Sequence, residues 1–118
     1  MEFSKAAAEL VDEYRRAPRA EPLDFTRTAA YRQFIEAAEQ EDFTSAEIEM
    51  DTDYAERRPE WVANADEGAL RQWVHTLIRS DRWNADYPTA IMDACRSGSI
   101  GELVARLNGA AGAFHAGR

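Results

Sequence analysis

Apolar residues recur every three or four positions in five stretches of the chain, the spacing that lines one face of an α-helix. The first lies behind Phe3, with Ser4 as its cap and Leu10, Val11 and Tyr14 on its stripe, and it stops by Ala17 just before Pro18. APRAEP (17–22) reads as a linker or turn. A second helix is expected near Thr28–Gln40, with Tyr31, Phe34, Ile35 and Ala38 in line. The third has the most regular pattern: Asn64 with Glu67 forms a capping signal, and Leu70, Trp73, Val74, Leu77 and Ile78 follow without a gap. Trp83 closes its end, and both Trp73 and Trp83 read as core. A fourth helix is expected from near Asp86, with Pro88 in its first turn, Tyr87, Ile91, Ala94 and Cys95 inside, and Gly98 as its stop. Ser99 and Glu102 then open a fifth, lined by Ile100, Leu103, Val104 and Leu107.

The period changes between the second and third helices. Over 47–54 acids take every odd position, while Ile48, Met50, Thr52 and Tyr54 take the even ones. Strict alternation is a strand signal. Thr44 and Glu47 offer a competing helix cap, but on a helix Ile48 would point away from Met50 and Tyr54. An extended segment is therefore expected, paired with Leu23-Asp24-Phe25. Two strands are marginal alone, so helices must back them. The fold class expected is mainly α: one bundle of about five helices over 1–108, with a minor two-stranded element near 23–25 and 46–54. A flexible Gly/Ala-rich tail follows over 109–118.

Length and composition agree with this. A chain of 118 residues makes one domain, and 45% apolar with 31% charged residues is ordinary for a globular protein. Acids number 22 and bases 14, for a net charge of −8. That excludes a generally basic nucleic-acid binder and disfavours an anionic membrane surface. No apolar run approaches the roughly 18 residues of a membrane span. The N-terminal MEFSKAAAELVDEYRR has acids inside it and no signal-peptide hydrophobic stretch, so a cytoplasmic setting is expected. A single cysteine, Cys95, fits that compartment and forbids an internal disulfide. A catalytic Cys95–His75 pair competes with the reading of Cys95 as a small core residue. His75 and His115 are forty residues apart with no zinc-ligand spacing, so no metal and no cofactor is expected. There is no phosphate loop, no G-x-S-x-G and no HExxH, and the chain reads as a non-enzyme.

Three features carry candidate function. Between Glu36 and Glu67 there are twelve acids and two bases, a local charge of −10 that leaves +2 for the rest of the chain. In a strand, Glu47, Glu49, Asp51 and Asp53 would form a carboxylate row about 20 Å long, since same-face side chains repeat at about 6.6–6.8 Å. That row would attract a basic protein surface; its alternative is a solvated face that blunts an edge strand. A calcium loop starting at Asp51 fails, because Glu56 stands where glycine is needed. The second feature is a basic stripe, Arg71, His75, Arg79 and Arg82, able to grip a phosphate or an acidic partner, or to pair internally with Asp81, Asp86 or the acidic segment. The third is Trp61, which follows Arg57-Arg58-Pro59-Glu60 and joins no helical stripe; it is either an interface anchor beside Glu56 or buried under the irregular segment.

LRQWVHTLIRSDRWN (70–84) and GSIGELVARL (98–107) resemble the C-terminal half of an uncharacterised family of small bacterial and phage proteins, a domain of unknown function. The shared turn is carried by Leu77, Ile78, Arg79, Asp81, Arg82 and Trp83. YRQFIEAAEQEDF (31–43) is similar to the family's earlier Phe-Ile helix, and the resemblance spans about two thirds of the chain. Members often have glycine before the residue matching Phe43, where this chain has Asp42. The resemblance supports the helical fold and a phage or mobile-element origin, and implies no activity. The expected function is that of a small acidic interaction protein. It would bind, and inhibit, a basic nucleic-acid-binding or host-defence protein through Glu47, Glu49, Asp51, Asp53, Glu56 and Trp61. One alternative is a self-associating helical module, a homodimer rather than a monomer, paired edge to edge through 47–54 by its Ile48 and Met50 side. The other is a small enzyme using carboxylates and His75.

Overall fold

The computed structural model describes residues 2–109. Among them seven α-helices follow one another: α1 Glu2–Arg16, α2 Pro22–Thr26, α3 Ala29–Gln40, α4 Pro59–Asn64, α5 Glu67–Trp83, α6 Ala90–Arg96 and α7 Ser99–Gly109. A 3-10 turn at Tyr54–Glu56 precedes α4, and no strand occurs among the described residues. The mainly α single domain expected from the periodicity is present, with a radius of gyration of 13.1 Å. His115 and all but the first residue of the tail expected over 109–118 lie outside the described residues.

Each long helix forms where its stripe predicts. α1 packs on α3 and α7, and α7 also covers α4. Phe3 is fully enclosed and stacks on Phe34 and Phe43, at ring separations of 5.2 and 4.5 Å. α5 is the most enclosed helix: Leu70, Trp73, Val74 and Ile78 have no exposed surface. Several ends differ from expectation. Ser4 lies inside α1, and its buried hydroxyl bonds to Asn108 Oδ1 instead of capping. The N–H of Phe3 donates instead to the Glu41 carboxylate at 2.9 Å, so an acid just past the end of α3 serves the positive end of α1. Asp66, not Asn64, caps α5, accepting from the N–H of Ala69 at 2.7 Å. Gly98 does close α6, with φ +90°.

The two-stranded element is absent. Leu23-Asp24-Phe25 is helical, started by Pro22 in a first turn that has no N–H to lose, and Phe25 is buried edge-on against Tyr14 and Tyr31. Residues 47–54 are held by side-chain-to-backbone bonds that compete with strand pairing. The Asp51 carboxylate accepts from the N–H of Asp53, and the Asp51 carbonyl accepts from the N–H of Tyr54, which turns the chain into the 3-10 turn. Edge-to-edge pairing of two copies through 47–54 therefore has no strand to use. The fourth expected helix begins at Ala90, so Pro88 and Tyr87 belong to the preceding loop.

α3 ends in a six-to-one and five-to-two pair of bonds: Phe43 N–H to Ala38 carbonyl at 2.8 Å and Asp42 N–H to Glu39 carbonyl at 3.4 Å. The residue between them, Asp42, has φ +63°, a left-handed conformation that favours glycine. Asp42→Gly is expected to raise stability by about 0.5–1 kcal/mol, read as a higher urea midpoint at unchanged slope.

Candidate functional site

The acidic stretch 36–67 divides into acids that hold the fold together and acids that face water. Glu39 pairs with Arg82 at 3.2 Å, Glu67 with Arg71 at 2.9 Å and Asp51 with Arg57 at 3.0 Å, while Glu41 and Asp66 serve helix N-termini. The remaining seven, Glu36, Asp42, Glu47, Glu49, Asp53, Glu56 and Glu60, are exposed and make no side-chain hydrogen bond or ion pair among the described residues. With no strand at 47–54 the expected four-carboxylate row does not form, and one of its members is not at the surface. Asp51 is 7% exposed, accepts both the Nε and Nη2 hydrogens of Arg57 at 3.0 Å, and sends its own N–H to Thr76 Oγ1 at 2.7 Å. It anchors the segment onto α5 and is not available to a partner. Glu47, Glu49, Asp53 and Glu56 are available.

Trp61 is also corrected as an exposed anchor. It sits half-buried in α4, edge-on to Trp73 at 6.2 Å, and the Arg57 guanidinium lies 4.3 Å over its ring. A six-residue helix spans under two turns, too few for periodicity to reveal it. The signal was Pro59, a good first-turn residue.

The basic stripe on α5 is largely absorbed into the fold. Arg71 donates to the carbonyls of Glu41 and Asp42 at 2.8 and 2.7 Å, satisfying the end of α3, and lies over Phe43 at 4.5 Å. Arg82 is tied to Glu39, Arg79 is half-buried, and His75 is 2% exposed. The His75 Nδ1 lies 2.8 Å from Thr44 Oγ1, so the histidine fixes the start of the irregular segment. Burial and then Arg79 and Arg82 push the His75 imidazole below its ordinary 6.5. The unfolded chain then binds the proton more readily, so this contribution to stability is full above about pH 6.5 and is lost as pH falls toward the depressed value. His75→Gln should flatten the thermal-stability profile in that interval.

Two further titratable groups are deeply buried. Asp81 accepts from the Tyr31 hydroxyl at 2.7 Å and from the N–H of Ala90 at 2.8 Å, closing the N-terminus of α6 from another helix. Burial holds its carboxyl above the usual carboxylate range, and burial and then Asp81 hold the Tyr31 phenol above its own. Cys95 lies in the core, where burial and then Asp81 push its thiol up to about 12. A thiol so held is a packing group.

The aromatic residues that do face water are Trp83 and Tyr87, at 80% and 65% exposure. The reading of both as core is overturned, and α5 shows why. From Leu70, Trp73 and Leu77 the buried stripe continues four residues on to Asp81, which leaves Trp83 on the far side. Trp83, Asn84, Asp86 and Tyr87 share a surface depression of about 480 Å³ with Tyr54 and Ser80. Tyr54 carries the acidic segment into it, with exposed Asp53 and Glu56 on either side in sequence. The depression therefore holds two solvent-facing aromatics and the exposed carboxylate of Asp86, while Asp53 and Glu56 flank Tyr54 in sequence and do not line it.

Among the described residues no group of three or more His, Cys, Asp or Glu side chains is placed to hold a metal ion, and no helix is long and apolar enough to cross a membrane. No protein-family model, no curated protein and no solved structure matches the chain.

Proposed function

We propose that this is a non-enzymatic interaction protein that binds a basic segment of another protein at the Trp83–Tyr87 depression. The observation that carries the reading is the 80% exposure of Trp83 in a depression shared with Tyr54 of the acidic segment. Tryptophan and tyrosine supply much of the contact energy in protein interfaces, and unpaired carboxylates beside them select a cationic partner. Glu47, Glu49, Asp53 and Glu56 provide the steering charge, in place of the row that would have included Asp51. Inhibition of a nucleic-acid-binding or host-defence protein is the concrete form this role would take in a phage or mobile element. That form rests on the resemblance of 70–84 and 98–107.

Selection of peptides from a random displayed library against the full chain tests the reading. The expected winners are Lys/Arg-rich with an apolar anchor, and their affinity falls as salt rises from low to physiological ionic strength. Reversing Glu47, Glu49, Asp53 and Glu56 to lysine should abolish capture with the fold intact. Acidic winners, or capture that survives the reversal, would overturn it.

Self-association through the same aromatics is the second reading, favoured by the exposure of Trp83 and Tyr87 alone. The acids repel between copies, and sedimentation that stays monomeric across concentration removes it.

A further inference from the structure

We infer that the segment docking at the Trp83–Tyr87 depression is proline-rich, a polyproline II helix with a lysine or arginine at one end and prolines that cross Tyr87 into a second depression; the inference rests on the docking role proposed above. The two depressions adjoin, because Tyr87 and Thr89 line both. The second measures about 520 Å³ and has Pro18, Pro22 and Met92 in its wall. Their charges differ. No base lines the first, whose only charged residues are Asp81 and the exposed Asp86. In the second, Asp93 pairs with Arg96, and the charges of Arg19 and Glu21 sum to zero. A cation is therefore drawn to the first depression, and uncharged apolar groups suit the second.

The hydrogen-bonding groups select the backbone. The Tyr54 and Tyr87 hydroxyls and the Trp83 indole N–H line the first depression and make no hydrogen bond among the described residues. A polyproline II helix has no internal hydrogen bonds, so its carbonyls are free to accept from such donors, and each proline lacks an N–H that would need an acceptor in return. Its three-residue turn brings a proline back to the same side about every 9 Å, so successive prolines can lie on either side of the Tyr87 ring. The other ways of holding a peptide fit less well. No strand occurs among the described residues, so a bound strand has no sheet edge to join. A docked amphipathic helix needs a continuous apolar groove, and Ser80, Asp81, Asn84, Asp86 and Thr89 interrupt this one. A proline-rich segment is also extended before it binds, so it loses little conformational entropy on the exposed rings of Trp83 and Tyr87.

Amide spectra of the full chain, titrated with two peptides, test the inference. The probe is a pair of arginines followed by a run of prolines and leucines; its control has alanine for every proline. The probe should shift the signals of 83–87 and, in the second depression, those of Arg19, Ala20 and Met92, and should bind about tenfold more tightly than the control. Tyr87→Phe, which keeps the ring and removes the hydroxyl, should weaken the probe about fivefold. Asp86→Asn should weaken it about fivefold as well and reduce its dependence on salt. Equal affinity of probe and control, both shifting 83–87, would overturn the proline preference and leave the docking role standing. A probe that moves 83–87 and none of Arg19, Ala20 and Met92 would overturn the path across Tyr87. If neither peptide moves 83–87 while a basic peptide from the displayed library does, the inference falls alone; if that peptide fails there too, the docking role falls with it.

Discussion

Replacing Asp81 with alanine should destabilise the protein by about 2–4 kcal/mol, a melting-temperature loss of about 10 °C. The carboxylate joins three helices from a position only 4% exposed. It leaves α5, accepts the Tyr31 hydroxyl of α3 and closes the first turn of α6 through the N–H of Ala90. Alanine removes the acceptor of both donors, of which the Tyr31 hydroxyl is buried, and a domain stability of only about 5–15 kcal/mol makes that loss a large fraction. Asparagine should cost much less. Its carbonyl can face Ala90 while its amide donates to the Tyr31 oxygen, so both contacts survive with one of them reversed. Wild type and the variants also separate by pH. The folded carboxyl is held above the ordinary range, so the native state binds its proton at higher pH than the unfolded chain does. Stability therefore falls as pH rises from about 3.9 to the raised value, and Asp81→Asn should remove that slope. Urea denaturation of wild type and both variants across that interval checks both statements.

Trp83→Ala should weaken binding of a captured basic peptide about 30-fold or more while changing stability by less than about 0.5 kcal/mol. The contrast follows from placement. A side chain that is 80% exposed contributes little to folding, but its full face is available to be covered by a partner. Trp73→Ala should behave in the opposite sense, unfolding or severely destabilising the chain by about 3–5 kcal/mol because its ring is wholly enclosed. Tyr87→Ala should show a smaller loss of binding than Trp83→Ala, again without a stability change. Calorimetry with each variant, paired with its thermal melt, separates the two kinds of tryptophan.

Much of the helical fold was legible because long stripes average out local ambiguity. α3, α5, Gly98 and α7 lie where the pattern placed them. The short elements were not legible: α2 and α4 have five and six residues, too few to display a period. Their only marks are Pro22 and Pro59 in the first turn. The same proline rule misplaced α6, because Pro88 stands in the loop and the cap of α6 arrives from Asp81, nine residues before Ala90. No local pattern can reveal a cap donated across the core. Alternation over 47–54 misled for a related reason. Asp51 looks like one of four equivalent acids, yet a local turn and an arginine six residues later draw it inside. The candidate site was legible in its charge and not in its aromatics. The decisive sign was the acid at 81 on the apolar stripe of α5, which implies both a buried carboxylate there and an outward Trp83.

The central claim is that partners meet this protein at Trp83, Tyr87 and the unpaired acids beside Tyr54. The backbone amide spectrum of the full chain, recorded with and without a selected basic peptide, tests it most directly. The account predicts that the largest shifts fall at 53–56 and 83–87, while Arg71 and the end of α3 stay still. Largest shifts on the Arg71–Arg79 face of α5, with 83–87 unmoved, would contradict it.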